Sequence, residues 1–174
     1  MTTRPGSSSE PRVERLAAAD WERLRRLRLT ALADAPDAFQ RTLAEEAEFA
    51  PEAWRGRLTG DSANFMAVQG DTDVGMVACA PYRGLQGMVG LFGMWVAPSH
   101  RRSGIGKLLV EAVLAHARGL DGCEGVVLDV SDENRAAVGL YAALGFEPNG
   151  KVGFLPPPRE HVREHQRVHR FEPE

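Results

Sequence analysis

Apolar and polar positions are most sharply patterned between Met88 and Arg118. The run Met88–Val96 (MVGLFGMWV) is almost continuously apolar and of strand length. A polar turn follows, Arg101-Arg102-Ser103-Gly104-Ile105-Gly106-Lys107. Beyond it Ile105, Leu108, Leu109, Ala112, Val113 and His116 recur at i, i+3, i+4, i+7, i+8 and i+11, the spacing of one helix face. Gly119 then stands where a helix C-terminus is commonly capped.

The same reading runs through the rest of the chain. Residues 13–16 predict a short first strand. Asp20 is placed to cap a helix over 21–33, with Leu24, Leu27 and Ala31 facing inward and Pro36 ending it. A second helix is predicted over 38–49, up to Pro51, and a third short one around Trp54 and Leu58. Residues 64–69 and 74–81 predict two strands joined by the polar turn 70–73. Gly90 and Gly93 within the 88–96 strand predict a bulge or a close backbone approach. The apolar run 125–130 suits a buried strand parallel to the 88–96 strand, joined to it by the helix as a crossover. Asn134 then caps a helix whose inward positions are Ala137, Leu140, Tyr141 and Leu144, with Gly145 after it. A strand is expected at 151–155, ahead of the Pro156-Pro157-Pro158 break.

Composition narrows the function classes. The chain has 174 residues, which predicts one domain over 12–174 behind a Ser-, Pro- and Gly-rich tail at 1–11, read as disordered. A net charge of −3 gives no general case for nucleic-acid binding. No apolar run has membrane-spanning length, so neither a membrane nor a nucleic-acid partner is expected and a cytoplasmic location is. Cys79 and Cys123 sit in apolar sequence and read as buried free thiols of a reducing compartment. The charge-rich stretch from Arg23 to Glu48 reads as a solvated helix face laced with ion pairs. His161, His165 and His169 would align on a helix, but no cysteine lies near and the neighbouring arginines disfavour a cation, so no metal site is expected.

The turn at 101–107 has the chemistry of a phosphate site. A helix N-terminus presents unpaired N–H groups and a positive dipole end, and glycines allow an anion close to the backbone. Arg101, Arg102 and Lys107 add charge. A tight, solvated strand–helix connection is the other reading of the turn alone. Two common phosphate motifs do not fit. A dinucleotide fingerprint needs glycine or alanine where Leu109 stands. A Walker A loop needs glycine at the place of Arg101 and Ser or Thr at the place of Leu108.

The turn resembles the acetyl-CoA loop of the GCN5-related N-acetyltransferases. The family pattern Gln/Arg-x-x-Gly-x-Gly/Ala is matched by Arg101-Arg102-Ser103-Gly104-Ile105-Gly106, after Trp95-Val96-Ala97-Pro98. A second family motif, Asn-x-x-Ala-x-x-Leu-Tyr-x-x-x-Gly-Phe, is matched by Asn134, Ala137, Leu140, Tyr141, Gly145 and Phe146. The resemblance is firm over 90–150 and weaker over 28–39. It implies an α/β fold with a mixed, mostly antiparallel sheet splayed at strands 4 and 5, helices on both faces, and 164–171 as the last strand, with His165 and His169 on the surface or lining the substrate pocket. It implies direct transfer of an acetyl group from acetyl-CoA to a primary amine of a small molecule or peptide.

By position, the resemblance places the pantetheine arm on the backbone of Met94, Trp95 and Val96. Arg101, Arg102, Ser103, Gly104, Ile105, Gly106 and Lys107 would hold the pyrophosphate, and Asn134 would touch the cofactor arm. Tyr141 would protonate the departing thiolate, a role that suits a phenol of ordinary pKa near 10. The family's strand-4 carboxylate is missing, because 88–96 contains no acidic residue and Gly90 stands near that place. Asp129 is the best remaining candidate for the base; it also reads as a plain strand residue, and solvent could take the proton instead. The acceptor would be chosen by the first helices and the last hairpin, which here hold Trp21, Arg28, Phe39, Trp54, Phe154 and several histidines. Homodimerisation, common in the family, has no signature in this sequence. The alternative is an acyl-CoA-binding sensor without turnover.

Overall fold

The computed structural model describes residues 9–173. Seven strands form a sheet: β1 (Arg12–Arg15), β2 (Ala63–Gln69), β3 (Thr72–Pro81), β4 (Met88–Val96), β5 (Gly125–Ser131), β6 (Glu147–Phe154) and β7 (Arg163–Arg170). Their order is β1-β2-β3-β4-β5-β7-β6. The β4–β5 pair is parallel and the other neighbours are antiparallel. This is the mixed, mostly antiparallel sheet that the family resemblance implies.

Alternation along the strands builds a core on each face. On one face Met66, Val68, Met76 and Trp95 pack against α1 (Trp21–Asp34) and α3 (Pro51–Gly56) through Leu24, Leu27, Ala31 and Trp54. On the other, Phe65, Ala67, Val77 and Leu128 pack against α4 (Ile105–Arg118) and α5 (Arg135–Ala143). Helix α4 is the crossover between β4 and β5. Its buried residues are Ile105, Leu109, Val110, Val113, Leu114 and Ala117. The buried stripe is therefore rotated from the expected face: Leu108, Ala112 and His116 are only half-buried, and Val110, Leu114 and Ala117 replace them.

Other boundaries also moved. The helix expected over 38–49 is broken. A single 3-10 turn at Pro36–Ala38 leads into extended backbone at Phe39, and α2 (Leu43–Ala47) begins only after Thr42. Burial of the Phe39 ring favours the extended stretch. Thr42 restarts the helix through a reciprocal capping box with Glu45. Asp20 stands at the N-terminus of α1, but its carboxylate turns back to the Ala17 amide and to Arg23 and makes no helix cap. Strand β3 starts at Thr72, which shortens the expected 70–73 turn, and β6 starts at Glu147, earlier than 151. Cys79 is buried, but Cys123 is only half-buried. Residues 1–8 of the expected tail lie outside the described residues, and no described helix is long and apolar enough to cross a membrane.

The feature that positions the site is a split in the sheet. Strands β4 and β5 pair only at Met88–Gly125, Val89–Val126 and Gly90–Val127. Beyond Gly90, β4 continues beside β3 as far as Val96, while β5 continues beside β7 as far as Ser131. The edges that face each other there have no strand partner. Gly93, at φ +60°, forms a bulge within the free part of β4.

Candidate active site

The turn between β4 and α4 is built for a close backbone approach. Gly104 precedes the first residue of α4 at φ +85°, a left-handed conformation that glycine adopts without strain, and a Cβ there would meet nothing within 4 Å. Arg102 also has positive φ, at 62°. The first bond into the helix is Leu108 N–H to the Gly104 carbonyl at 3.1 Å, so the amides of the preceding residues have no partner within the helix. A Cβ on Gly106 would lie 3.0 Å from Leu140 Cδ2, so glycine lets the start of α4 approach α5. The cradle fits an anion such as a pyrophosphate.

The cationic residues of the turn have different roles. Arg101 folds back onto the protein with its side chain still 47% exposed: its Nε donates to the Val96 carbonyl at 2.9 Å and its Nη2 donates to Asp34 Oδ2 at 2.6 Å. Trp95 Nε1 donates to the same oxygen at 3.0 Å. These bonds from Trp95 and Arg101 hold the Asp34 carboxyl below the usual range. Arg102 and Lys107 remain exposed. The side chain of Ser103 donates to the His100 carbonyl, and Ile105 is buried in the core. The turn is thus pinned to the end of β4 and to α1, while Met94 and Val96 lie along the free edge.

Helix α5 brings the second group of residues to the other side of the split. Asn134 caps it, its Oδ1 accepting from the Ala137 amide at 3.3 Å, which leaves the side-chain NH2 available. Tyr141 is 5% exposed and packs edge-on to Phe146 at 5.6 Å. Among the described residues its hydroxyl has no hydrogen-bond partner. Burial raises its pKa, so the phenol keeps its proton throughout the neutral range.

A cavity of about 510 Å³ opens on the α1 face of the sheet, lined among others by Arg28, Phe39, Gln40, Glu46, Phe92, Gly93, Asp129 and Glu164. Asp129 faces Gln166 across the β5–β7 pair, with Glu164 two residues along β7. Gln166 Nε2 donates to Tyr82 Oη at 2.9 Å and to Asp129 Oδ1 at 3.4 Å, and Gln40 Nε2 donates to Glu164 Oε2 at 3.1 Å. Desolvation raises both carboxyls, and the charge of Asp129 adds to the rise at Glu164. Arg159 holds the Phe39–Gln40 stretch of the lining by donating to the carbonyls of Pro36, Phe39 and Gln40 at 2.6–2.7 Å.

The cavity also contains a buried ion cluster. Glu46 is 0% exposed and accepts from Arg28 Nε and Nη2 at 3.1 and 2.9 Å and from Arg57 Nη1 at 3.0 Å. Burial alone would raise its pKa; the two arginines outweigh that and hold it low. This corrects the reading of the stretch as a solvated face, which holds for Glu45 and Glu48 but not for Glu46.

Of the expected acceptor residues, Arg28 and Phe39 line this cavity. Trp54 lies fully in the core, Trp21 lines a separate shallow groove, and Phe154 is exposed on the outer strand β6. His165 lies beside Asp132 at 3.0 Å and His169 bonds to the Leu144 carbonyl at 2.8 Å; neither lines the cavity. Asp129 and Tyr141 sit on opposite faces, Asp129 under α1 and Tyr141 in the core beneath α4. Glu164, Gln166, Gln40 and Glu46 were not found from the sequence. Their proximity depends on long-range pairing that no local pattern encodes.

Comparison with known proteins agrees with this architecture. The family model described as "Acetyltransferase (GNAT) family" matches residues 21–146. Human N-acetyltransferase 8B is 45% identical over 64 residues, covering 37% of this chain and 28% of that protein. The mycothiol acetyltransferase of Thermobispora bispora is 34% identical over 124 residues, covering 69% of this chain and 40% of that protein. The matches thus span less than half the length of these curated relatives. The crystal structure of Arabidopsis thaliana NAA60 in complex with acetyl-CoA superposes with a TM-score of 0.68 at 19% identity, covering 92% of this chain and 98% of that one. At that identity the likeness is one of fold.

Proposed function

This chain belongs to the GNAT family of acetyltransferases, and on that premise we propose that it transfers an acetyl group from acetyl-CoA directly to a primary amine. The observation that carries the reading is the split between β4 and β5 beyond Gly90 and Val127, with the Gly104 turn at one end and Tyr141 and Asp129 on opposite faces. A fold relative, NAA60, is known in complex with acetyl-CoA. Bound there, acetyl-CoA supplies an activated thioester acyl group.

The chain's own residues divide the work. The amides from Arg102 to Lys107 bind the pyrophosphate, with Arg102 and Lys107 adding charge and Arg101 holding the turn in place. The free backbone edge at Met94, Trp95 and Val96 orients the pantetheine arm and polarises the thioester carbonyl. The Asn134 side-chain amide contacts the arm. Tyr141 holds a proton on Oη for the leaving sulfur. Asp129, with Glu164 beside it, receives the proton of the acceptor amine. The activity resides in the unit 12–174.

Calorimetric titration of the chain with acetyl-CoA, dephospho-CoA and adenosine tests the cofactor site. Binding of both pyrophosphate-bearing compounds and not of adenosine supports it. Failure of a folded chain to bind either overturns it. Free-thiol release on adding amines then separates the enzyme from an acyl-CoA sensor. The sensor reading draws on Gly90, where the room for a side chain is filled by the Phe92 ring and no strand-4 carboxylate can stand without displacing it.

A further inference from the structure

The cavity on the α1 face is lined by charged groups of both signs. Arg28 is fixed. Its side chain is 15% exposed, and two of its nitrogens are tied to the fully buried Glu46. Glu46 is held in turn by Arg57, and the Arg28 guanidinium lies 4.4 Å from the centre of the Phe39 ring. Its remaining nitrogen, Nη1, has no hydrogen-bond partner among the described residues. It sits beside the Gly93 bulge, where a Cβ would come within 2.8 Å of it. A guanidinium restrained in this way presents one N–H edge in a set direction, the arrangement that recognises a carboxylate.

Asp129 and Glu164 also line the cavity, and neither has a cationic side chain within ion-pair distance among the described residues. The groups that bond to them are the neutral amides of Gln166 and Gln40, which satisfy oxygens without cancelling charge.

We propose that the acceptor is a zwitterionic amino acid, its amine facing Asp129 and Glu164 and its carboxylate bound by Arg28. This rests on the acetyltransferase reading above. A plain alkylamine leaves the Arg28 edge without a partner, and a polyamine sets a second cation against it. An amine that carries a carboxylate offers a partner to both kinds of group. The proton of the ammonium moves to a carboxylate oxygen of the Asp129–Glu164 pair, breaking the N–H bond and forming an O–H bond. The freed nitrogen then attacks the thioester carbon: the C–N bond forms as the C–S bond breaks, the leaving sulfur takes the Tyr141 Oη proton, and the nitrogen gives its second proton to solvent, from which Tyr141 is reprotonated.

The test is thiol release from acetyl-CoA with three compounds for each of two side chains. These are L-leucine, L-leucinamide and isopentylamine, and L-phenylalanine, its amide and phenethylamine, compared at equal concentrations of neutral amine. A charge-assisted bond made only by the acids predicts kcat/KM about tenfold or more above the amides and decarboxylated amines. Arg28→Gln should bring that ratio close to one. If the amides or plain amines match the acids in the unmodified chain, the acceptor class is wrong while the transferase reading stands. If acetyl-CoA binds but no compound releases thiol, the acceptor class is wrong, and the same assay with spermidine and a peptide amine shows whether the transferase reading falls with it. Should Arg28→Gln fail to fold, the ratio in the unmodified chain decides alone.

Discussion

Arg101 and Asp34, 67 residues apart in sequence, meet at 2.6 Å, and the Asp34 oxygen that accepts from Arg101 also accepts from Trp95. One carboxylate in the last turn of α1 thereby fixes both the end of β4 and the start of the cofactor turn. Asp34→Asn keeps the shape and removes the charge. It should weaken acetyl-CoA binding about tenfold although residue 34 lies outside the proposed cofactor contacts, because the turn loses its anchor. Calorimetry reads the change. The sign of the pH effect follows from the lowered pKa of Asp34. Its contribution is complete above the ordinary carboxylate value and is lost only as pH falls through the depressed one. Affinity should therefore not depend on this group between pH 5 and 8, and unmodified affinity in the Asn variant would show that the anchor is dispensable.

Tyr141→Phe removes an oxygen with no partner within the described chain, so folding and acetyl-CoA affinity should hold. Turnover should drop by about a hundredfold or more, the usual worth of a positioned general acid. Because burial raises the phenol's pKa, no fall in rate at mildly alkaline pH should trace to Tyr141. Steady-state kinetics of both proteins decide this, and equal kcat values would remove Tyr141 from the acid role.

Gly104 combines a left-handed backbone with open space around its missing Cβ. Gly104→Ala carries only the backbone strain, about 1–2 kcal/mol. Gly104→Glu adds a negative charge in the anion cradle. The alanine variant should bind acetyl-CoA more weakly and the glutamate variant not measurably. Retained affinity in the folded glutamate variant would mean that the phosphates lie elsewhere.

The parts of this site that were legible in the sequence are the local ones. The Gly104 turn, the Asn134 cap and the pair of strands joined by α4 follow from residue spacing over a few turns of chain. The β4 bulge was also foreseeable from Gly93. What escaped depends on contacts between distant segments. The break after Pro36 is set by where Phe39 is buried. The Asp129–Glu164 juxtaposition exists only because β7 inserts between β5 and β6. Glu46 reads as one more surface charge until Arg28 and Arg57 converge on it from two other elements. The α4 face was misjudged by one position because Val110 and Leu114 are as apolar as the residues chosen.

Asp129 gives the most direct pH prediction. Desolvation raises its pKa above that of an ordinary aspartate, and only the ionised form can take a proton. Turnover should thus rise with pH through an apparent pKa above the ordinary carboxylate value, belonging to the Asp129–Glu164 pair as a unit. Asp129→Asn should lower kcat and move that limb, with acetyl-CoA affinity kept. A pH–rate profile unchanged by the substitution would assign the limb to the amine or to solvent.

Glu46 supports both the fold and the cavity, and its loss should separate the two. It is wholly buried, and three arginine nitrogens converge on its oxygens. Glu46→Ala removes the anion and leaves Arg28 and Arg57 facing each other without a counter-charge. Breaking a buried pair from one side costs about 3–5 kcal/mol. Arg57 retains some contact with water, so a value of about 3 kcal/mol is expected from urea unfolding. Arg28 would also lose the bidentate hold that sets its direction, so the discrimination between amino acids and plain amines should fall even in the surviving folded protein. Since the pKa of Glu46 is lowered in the fold, its contribution is present above the ordinary glutamate value and is lost as pH falls through the depressed one. The stability gap between the unmodified chain and the alanine variant should therefore be constant near neutrality and narrow only in acid. A gap already shrinking between pH 8 and 6 would mean that another group, and not this carboxylate, holds the arginines.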